Sequence, residues 1–397
     1  MAAAGPLVGG WLTTDFSWRW AFLINIPIVI IVLVGAILWV PETKDPHADR
    51  GADLPGVVLS IVGLGAVVFA LIEGLRFGWW TSVQPFSIGG FIWTWSISPV
   101  PVMFTFGVLM LAAFVLVERS RTTRGRPVLL DLSLLGIRSF RYGSIAALVV
   151  ALGEFGMLFA LPLFVQGALG YTALHTGLLI FALAVGTFLV SGASPQLTER
   201  IGGRGVVRVG LSLEVIAIIG LGLSLNLTAN AWVLAGWLFL YGAGVGMATA
   251  QLTSVILADV PVRQSGQASG LQSTFRQLGS SLGIALLGTL LISTLGVSTA
   301  NNLSTVPGLD AAAQAQVVAA VRGSAGAAIP ELAAMPGGEA AQAAAQSAMV
   351  TAARITTLSA AGIIMLGLLA TIALPAGRRE DETEPAVTAA SPVPQAG

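Results

Sequence analysis

The chain has 397 residues, 55% of them hydrophobic and 10% charged, with a mean hydropathy of +0.86. A soluble domain carries about 25% charged residues, so these charges are too few to coat a water-facing surface and the expected solvent is lipid. Lys plus Arg and Asp plus Glu balance at 19 each, which argues against nucleic acid or an acidic polymer as partner. Cysteine is absent, which removes disulfides, thiolate metal sites and cysteine nucleophiles together. The two histidines, His47 and His175, stand too far apart in sequence for metal-ligand spacing and receive no role.

From the N-terminus, Met1 to Leu12 is apolar but covers only about 18 Å as a helix, too little to cross about 30 Å of hydrocarbon. It lacks the basic start and small-residue cleavage site of a signal peptide, and reads as the end of a helix whose beginning is missing. Stretches long enough to cross follow near 21–40, 54–73, 98–117, 143–165, 174–193, 205–225, 232–256, 270–294 and 355–375. Backbone groups find no partner in lipid, so each is expected to be a helix, and none alternates as a membrane-barrel strand does. The expected fold is therefore all-α and polytopic.

Two regions are not expected to cross. Trp79, Trp80, Trp93 and Trp95 flank a stretch containing Gly, Ser and Pro. Tryptophan favours the headgroup level, which predicts an interfacial loop or short hairpin on the outer face. Residues 295–354 are rich in Ala, Gln, Ser and Gly, with a short helix expected over Asp310 to Arg322. From Glu380 onward the composition predicts a disordered tail.

Lys and Arg set the orientation. One side collects Lys44, Arg50, Arg119, Arg121, Arg124, Arg126, Arg138, Arg141, Arg200, Arg204, Arg208, Arg263, Arg378 and Arg379. The other holds Arg19, Arg76, Arg322 and Arg354, with Arg276 left inside a span. The first side is expected to be cytoplasmic, with the C-terminus, in a multi-pass protein of the inner (plasma) membrane.

Several motifs carry mechanism. Gly5-Pro6-Leu7-Val8-Gly9-Gly10 places Gly5 and Gly9 one turn apart, where a neighbouring helix could approach closely, and Pro6 can bend the helix. Trp18-Arg19-Trp20 and Asn25-Ile26-Pro27 then open the next span. Together these runs resemble the fourteen-helix drug:proton antiporters of the major facilitator superfamily, the first at the antiporter motif of the fifth helix and the second at the start of the sixth. Glu199-Arg200-Ile201-Gly202-Gly203-Arg204 is similar to that family's cytoplasmic pattern Asp-Arg-x-Gly-x-Arg, with Glu199 where Asp is usual. It either locks against a neighbouring helix end during gating or simply obeys the positive-inside bias. Gly266 to Gly279 resembles the penultimate helix, where the pairs Gly266/Gly270 and Gly279/Gly283 suit tight packing.

The resemblance implies a major facilitator fold lacking its first four helices and most of the fifth. It divides the chain into the end of an N-terminal bundle (1–40), two extra central helices with cytoplasmic loops (41–142), a six-helix C-terminal bundle (143–375, including the outer loop 295–354) and a tail (376–397). It implies a substrate site between two bundles near the midplane. The missing helices would take with them about half the cavity wall and the acidic residue usual in the family's first helix.

Charges placed deep in spans are the informative ones, since a central carboxylate costs about 2.5–3.5 kcal/mol to insert. Glu154 lies at the centre of 143–165 and Glu214 near the centre of 205–225. Each either lines the cavity and exchanges a proton or pairs with a cationic substrate, or is a hydrogen-bonded structural residue. Glu154→Gln is expected to abolish proton-coupled efflux. Arg276 either snorkels to the surface or pairs with a cavity carboxylate. Gln251, Thr249 and Thr253 offer neutral hydrogen bonds to a ligand or across helices, and Phe155 a surface for a flat substrate or for packing. Glu73 and Glu118, at span ends, are expected in the headgroup region.

The leading expectation is a secondary transporter that exports small amphipathic compounds in exchange for protons, with no cofactor, no metal, no nucleic acid and no nucleotide. No Gly-x-x-x-x-Gly-Lys-[Ser/Thr] loop is present. The alternative is a truncated, non-transporting membrane remnant or one half of a larger assembly. An enzyme would want clustered His, Cys or Asp, and the carboxylates here are isolated in sequence.

Overall fold

A computed structural model describes residues 4–41, 53–307, 309–335 and 338–373. His47, Lys44, Arg50, Arg378, Arg379 and the tail from Glu380 lie outside the described residues. The chain is built of helices: α1 (Ala4–Asp15), α2 (Trp20–Leu23), α3 (Asn25–Trp39), α4 (Leu54–Phe77), α5 (Pro99–Thr123), α6 (Arg138–Gly167), α7 (Ala173–Ser191), α8 (Ser194–Ser224), α9 (Ala231–Leu257), α10 (Ser265–Leu303), α11 (Ala311–Gly323) and α12 (Gly338–Ala370). Among the described residues, 9 helical segments are long and apolar enough to cross a membrane, and each overlaps one of the stretches predicted from sequence.

One apolar core runs through α6 to α12. A close approach of backbones builds it. A Cβ at Gly283 of α10 would fall 2.8 Å from the carbonyl carbon of Leu152 in α6, and one at Gly279 would fall 3.0 Å from that of Leu148. Gly266 and Gly270, expected to serve the same purpose, face open space. They lie at the start of α10, before it meets α6. In the antiporter motif, a Cβ at Gly5 or Gly9 would meet nothing within 4 Å among the described residues, whereas one at Gly10 would fall 2.7 Å from the carbonyl oxygen of Ala173. One residue turns the helix by about 100°, so the face that meets α7 is that of Gly10. Pro6 falls in the first described turn of α1.

The extra helices α4 and α5 pack on each other, and α4 reaches α10, where Trp79 Nε1 donates to Thr289 Oγ1 at 3.2 Å. Between them, β1 (Ser87–Ile88) and β2 (Phe91–Ile92) form the expected small hairpin. Beyond the far end of the bundle, α10 (39 residues) and α12 (33 residues) reach about 58 and 50 Å, well past about 30 Å of hydrocarbon. Their overhanging ends and α11 bury Leu303, Val317, Val321, Ile329 and Leu332. The described residues of 295–354 thus form a folded cap, with α11 where a short helix was expected.

Replacing Gly283 by Leu is expected to destabilise the bundle by about 1–3 kcal/mol, the cost of overpacking a filled interface, while Gly270→Ala leaves it unchanged or slightly firmer. Thermal unfolding of both variants in one detergent tests this.

Candidate functional site

Four helices bring polar side chains into one electrostatic neighbourhood. Glu154 comes from the middle of α6, Glu214 from α8, Tyr241 from α9 and Arg276 from α10; the charge of Arg276 acts on the other three, and Glu154 acts on Glu214 and Tyr241. Glu154, Glu214 and Tyr241 are 4%, 0% and 1% exposed. The Arg276 side chain is 39% exposed and its guanidinium nitrogen lies 3.7 Å from Glu154 Oε2. Arg276 thus reaches partly outward and also faces a carboxyl group. Glu214 differs from Glu154. Among the described residues, both of its carboxyl oxygens are buried without a hydrogen-bond partner.

Local sequence explains why the carboxyls sit so deep. In Gly153-Glu154-Phe155-Gly156 the two glycines admit neighbours on either side of Glu154. A Cβ at Gly153 would meet the Ala360 carbonyl oxygen of α12 at 3.0 Å, and one at Gly156 would meet Leu287 Cβ of α10 at 2.8 Å. Opposite Glu214, Gly244 of α9 gives its side chain room, for a Cβ there would fall 2.7 Å from Glu214 Cγ. Tyr241 is one of only 3 tyrosines in the chain, and that scarcity inside an apolar span was the signal that could have singled it out.

The remaining sequence candidates lie elsewhere. Phe155 is half-buried and, one residue on, is turned about 100° from Glu154. Gln251 Nε2 donates to Ser194 Oγ at 3.1 Å, and Gln272 Nε2 donates to Thr253 Oγ1 at 2.9 Å; both bonds tie helix to helix. The stretch 194–208, expected as a loop, is helical on both sides of a break at Gly202, whose φ is 73°, a backbone conformation that glycine adopts without strain. Glu199 and Arg200 are exposed on the first piece. Arg204 is half-buried just past the break, with Nε and one terminal nitrogen buried and unpartnered among the described residues.

Arg276→Ala removes the cation that faces the buried Glu154 carboxyl. Discounted for the partial exposure of the arginine, the loss is expected at about 1–3 kcal/mol. Adding Glu154→Gln to Arg276→Ala should recover most of it, as read by thermal unfolding.

The family model of the Major Facilitator Superfamily matches residues 1–284. The chain is 33% identical over 294 residues to the multidrug resistance protein Stp of Mycobacterium tuberculosis, covering 74% of this chain and 50% of that protein. It is 32% identical over 305 residues to a probable actinorhodin transporter of Streptomyces coelicolor (74% and 49%). It is 26% identical over 294 residues to the tetracenomycin C resistance and export protein of Streptomyces glaucescens (74% and 51%). The chain thus spans about half the length of these relatives. A solved structure of a bacterial homologue of the human lysosomal transporter Spinster superposes with a TM-score of 0.38 at 20% identity, over 79% of this chain and 66% of that one, too loosely to carry detail. By the match over residues 1–284, which takes in most of the helices and all four members of the buried cluster, this chain belongs to the Major Facilitator Superfamily.

Proposed function

We propose that this protein carries small amphipathic compounds outward across the inner (plasma) membrane in exchange for protons, with its basic end and C-terminus in the cytoplasm. Its family and relatives are transporters and not enzymes. Three of those relatives carry multidrug resistance, transport or export in their names, which supports outward movement of organic compounds. The observation that carries the proton coupling is the unpartnered, fully buried carboxyl of Glu214 beside the Glu154–Arg276 pair. An isolated carboxylate is too costly to enclose in an apolar bundle, so such a group takes a proton before it is enclosed. Glu154 has a cation beside it and keeps its charge without one.

Glu214, more than Glu154, is therefore the exchanging group. A proton from the outer side neutralises Glu214 and lets the helices close around it. Release of that proton to the cytoplasm leaves a carboxylate, which favours an opened site that a compound and water can enter. Arg276 keeps the rest of the cluster near neutrality and disfavours compounds with concentrated positive charge. Glu199, Arg200, Gly202 and Arg204 belong to the gating side of this reading, with the break at Gly202 as the pivot.

The test uses everted membrane vesicles containing the full chain, an acidified lumen, and tetracenomycin C and actinorhodin as probes. Uptake driven by the proton gradient is expected, collapsing with a protonophore. Glu214→Gln is expected to lose about tenfold or more of the gradient-driven component, as removal of a proton-transfer group does. Glu154→Gln should slow transport but leave its pH dependence. Gradient-driven uptake that survives Glu214→Gln contradicts the assignment. A second reading, in which the chain acts only with another polypeptide, rests on α3, none of whose residues is buried, and on the half-length match to its relatives. It is favoured if no vesicle preparation of the chain by itself takes up either probe.

A further inference from the structure

A second carboxyl site lies far from the cluster, where α4 begins and α5 ends. Asp53 is the N-cap of α4 and its Oδ1 accepts the Gly56 amide at 3.0 Å. Its Oδ2 accepts the Leu129 amide at 3.3 Å, and Arg121 Nε stands 3.3 Å from Oδ1. Glu118 is 0% exposed. It keeps its place at the end of a span, but protein encloses it, where a headgroup position was expected. Its Oε2 accepts the Leu130 amide at 3.4 Å. Its Oε1 is buried and no donor reaches it among the described residues, yet it shares the space beside Gly56 with Asp53 Oδ2.

Two bare carboxylates repel at such a distance. A hydrogen bond between them forms only if one oxygen carries a hydrogen, and the orphaned Oε1 of Glu118 is the atom that gains a partner by carrying it. Asp53, with two amides and a guanidinium around it, is the acceptor. We propose that the Asp53–Glu118 pair is a proton-binding site, holding one proton on Glu118, and that this proton latches the start of α4 and the end of α5 to the start of α10. The latch continues through the chain just beyond α5. Arg121 holds the Pro127 carbonyl with Nε at 3.0 Å and a terminal nitrogen at 2.8 Å. The Asp131 amide donates to Gln267 Oε1 at 3.1 Å, and Gln264 Nε2 donates to Asp131 Oδ2 at 2.8 Å. Gln267 lies on the same helix as Arg276, so hydrogen bonds and the short backbone of 129–131 join the pair to the helix that carries the cation of the buried cluster.

The state of Asp53 agrees with this. Burial pushes its carboxyl up, but the hydrogen bond from Glu118, the amides of Gly56 and Leu129, and Arg121 outweigh it and hold Asp53 below the usual carboxylate range. Of the charged groups on the elements packed here, Arg121 faces the pair and Asp131 lies one step along the network, while Arg119, Arg124, Arg126 and Arg263 are exposed among the described residues. The sign follows from the bound proton. The latched form holds one more proton than the opened form, so latching weakens as pH rises.

Hydrogen exchange on the full chain in lipid nanodiscs, followed over a pH series, reads this directly and needs no transport. Protection of the Leu129, Leu130 and Asp131 amides, and of the first turns of α10, is expected to fall about tenfold per pH unit once the proton leaves. Glu118→Gln supplies a permanent N–H in place of the O–H, so protection should persist with that pH dependence removed. Gln267→Ala should keep the response at 129–131 and lose it in α10. The proposal is overturned if protection at 129–131 does not change with pH in the unsubstituted chain, or if Glu118→Gln responds to pH as that chain does. It is overturned in its second half if Gln267→Ala leaves the α10 response intact.

Discussion

Charge inside a lipid-embedded bundle has no water to solvate it, and this constraint decides how the rest of the molecule is arranged. Every deep ionisable group must find a counter-charge, carry a proton or reach the surface. Arg276 and Glu154 take the first course, and the aliphatic stem of the arginine lets its head lie part-way outward. Glu214 has no hydrogen-bond partner among the described residues, and the course proposed for it is the second. For Asp53 and Glu118 at the basic end the proposal is a mixture, with one acid ionised and stabilised by amides and Arg121 and the other neutral and donating to it. The same few rules thus underlie both proposed proton sites.

Small residues make the arrangement feasible. Gly153 and Gly156 on either side of Glu154, and Gly244 opposite Glu214, allow neighbouring helices to approach closely. Close approach also limits what the bundle can tolerate. A methyl group added at Gly244 would press on the Glu214 side chain and so act on the proposed exchanging group as well as on packing. Stability and chemistry are therefore not separable at these positions, whereas open glycines such as Gly270 are free of both burdens.

Much of this could be read from the sequence, because hydrophobic runs of about 20 residues have few other uses. The crossing segments, the tryptophan-flanked hairpin and the short helix within 295–354 all followed from composition. What could not be read was direction. Gly5 and Gly9 share a face, yet Gly10 is the residue that meets α7, and a glycine pattern does not say which side a neighbour will take. The helical form of 194–201 was hidden by its charges, which signal an aqueous surface but not a loop. Glu154 and Glu214 were visible as isolated deep carboxylates. Tyr241 was not, since a tyrosine in an apolar span resembles ordinary packing. The Asp53–Glu118 contact joins residues from two helices 65 positions apart, and no spacing rule reaches that far.

The central claim, that Glu214 holds a proton while Glu154 is ionised beside Arg276, has a direct spectroscopic readout. Infrared spectra of the full chain in lipid at neutral pH resolve the carbonyl stretch of protonated carboxyls from the bands of carboxylates. The account requires a protonated-carboxyl component that disappears in Glu214→Gln and survives in Glu154→Gln. A component that survives Glu214→Gln unchanged, or one that disappears with Glu154→Gln instead, would contradict it.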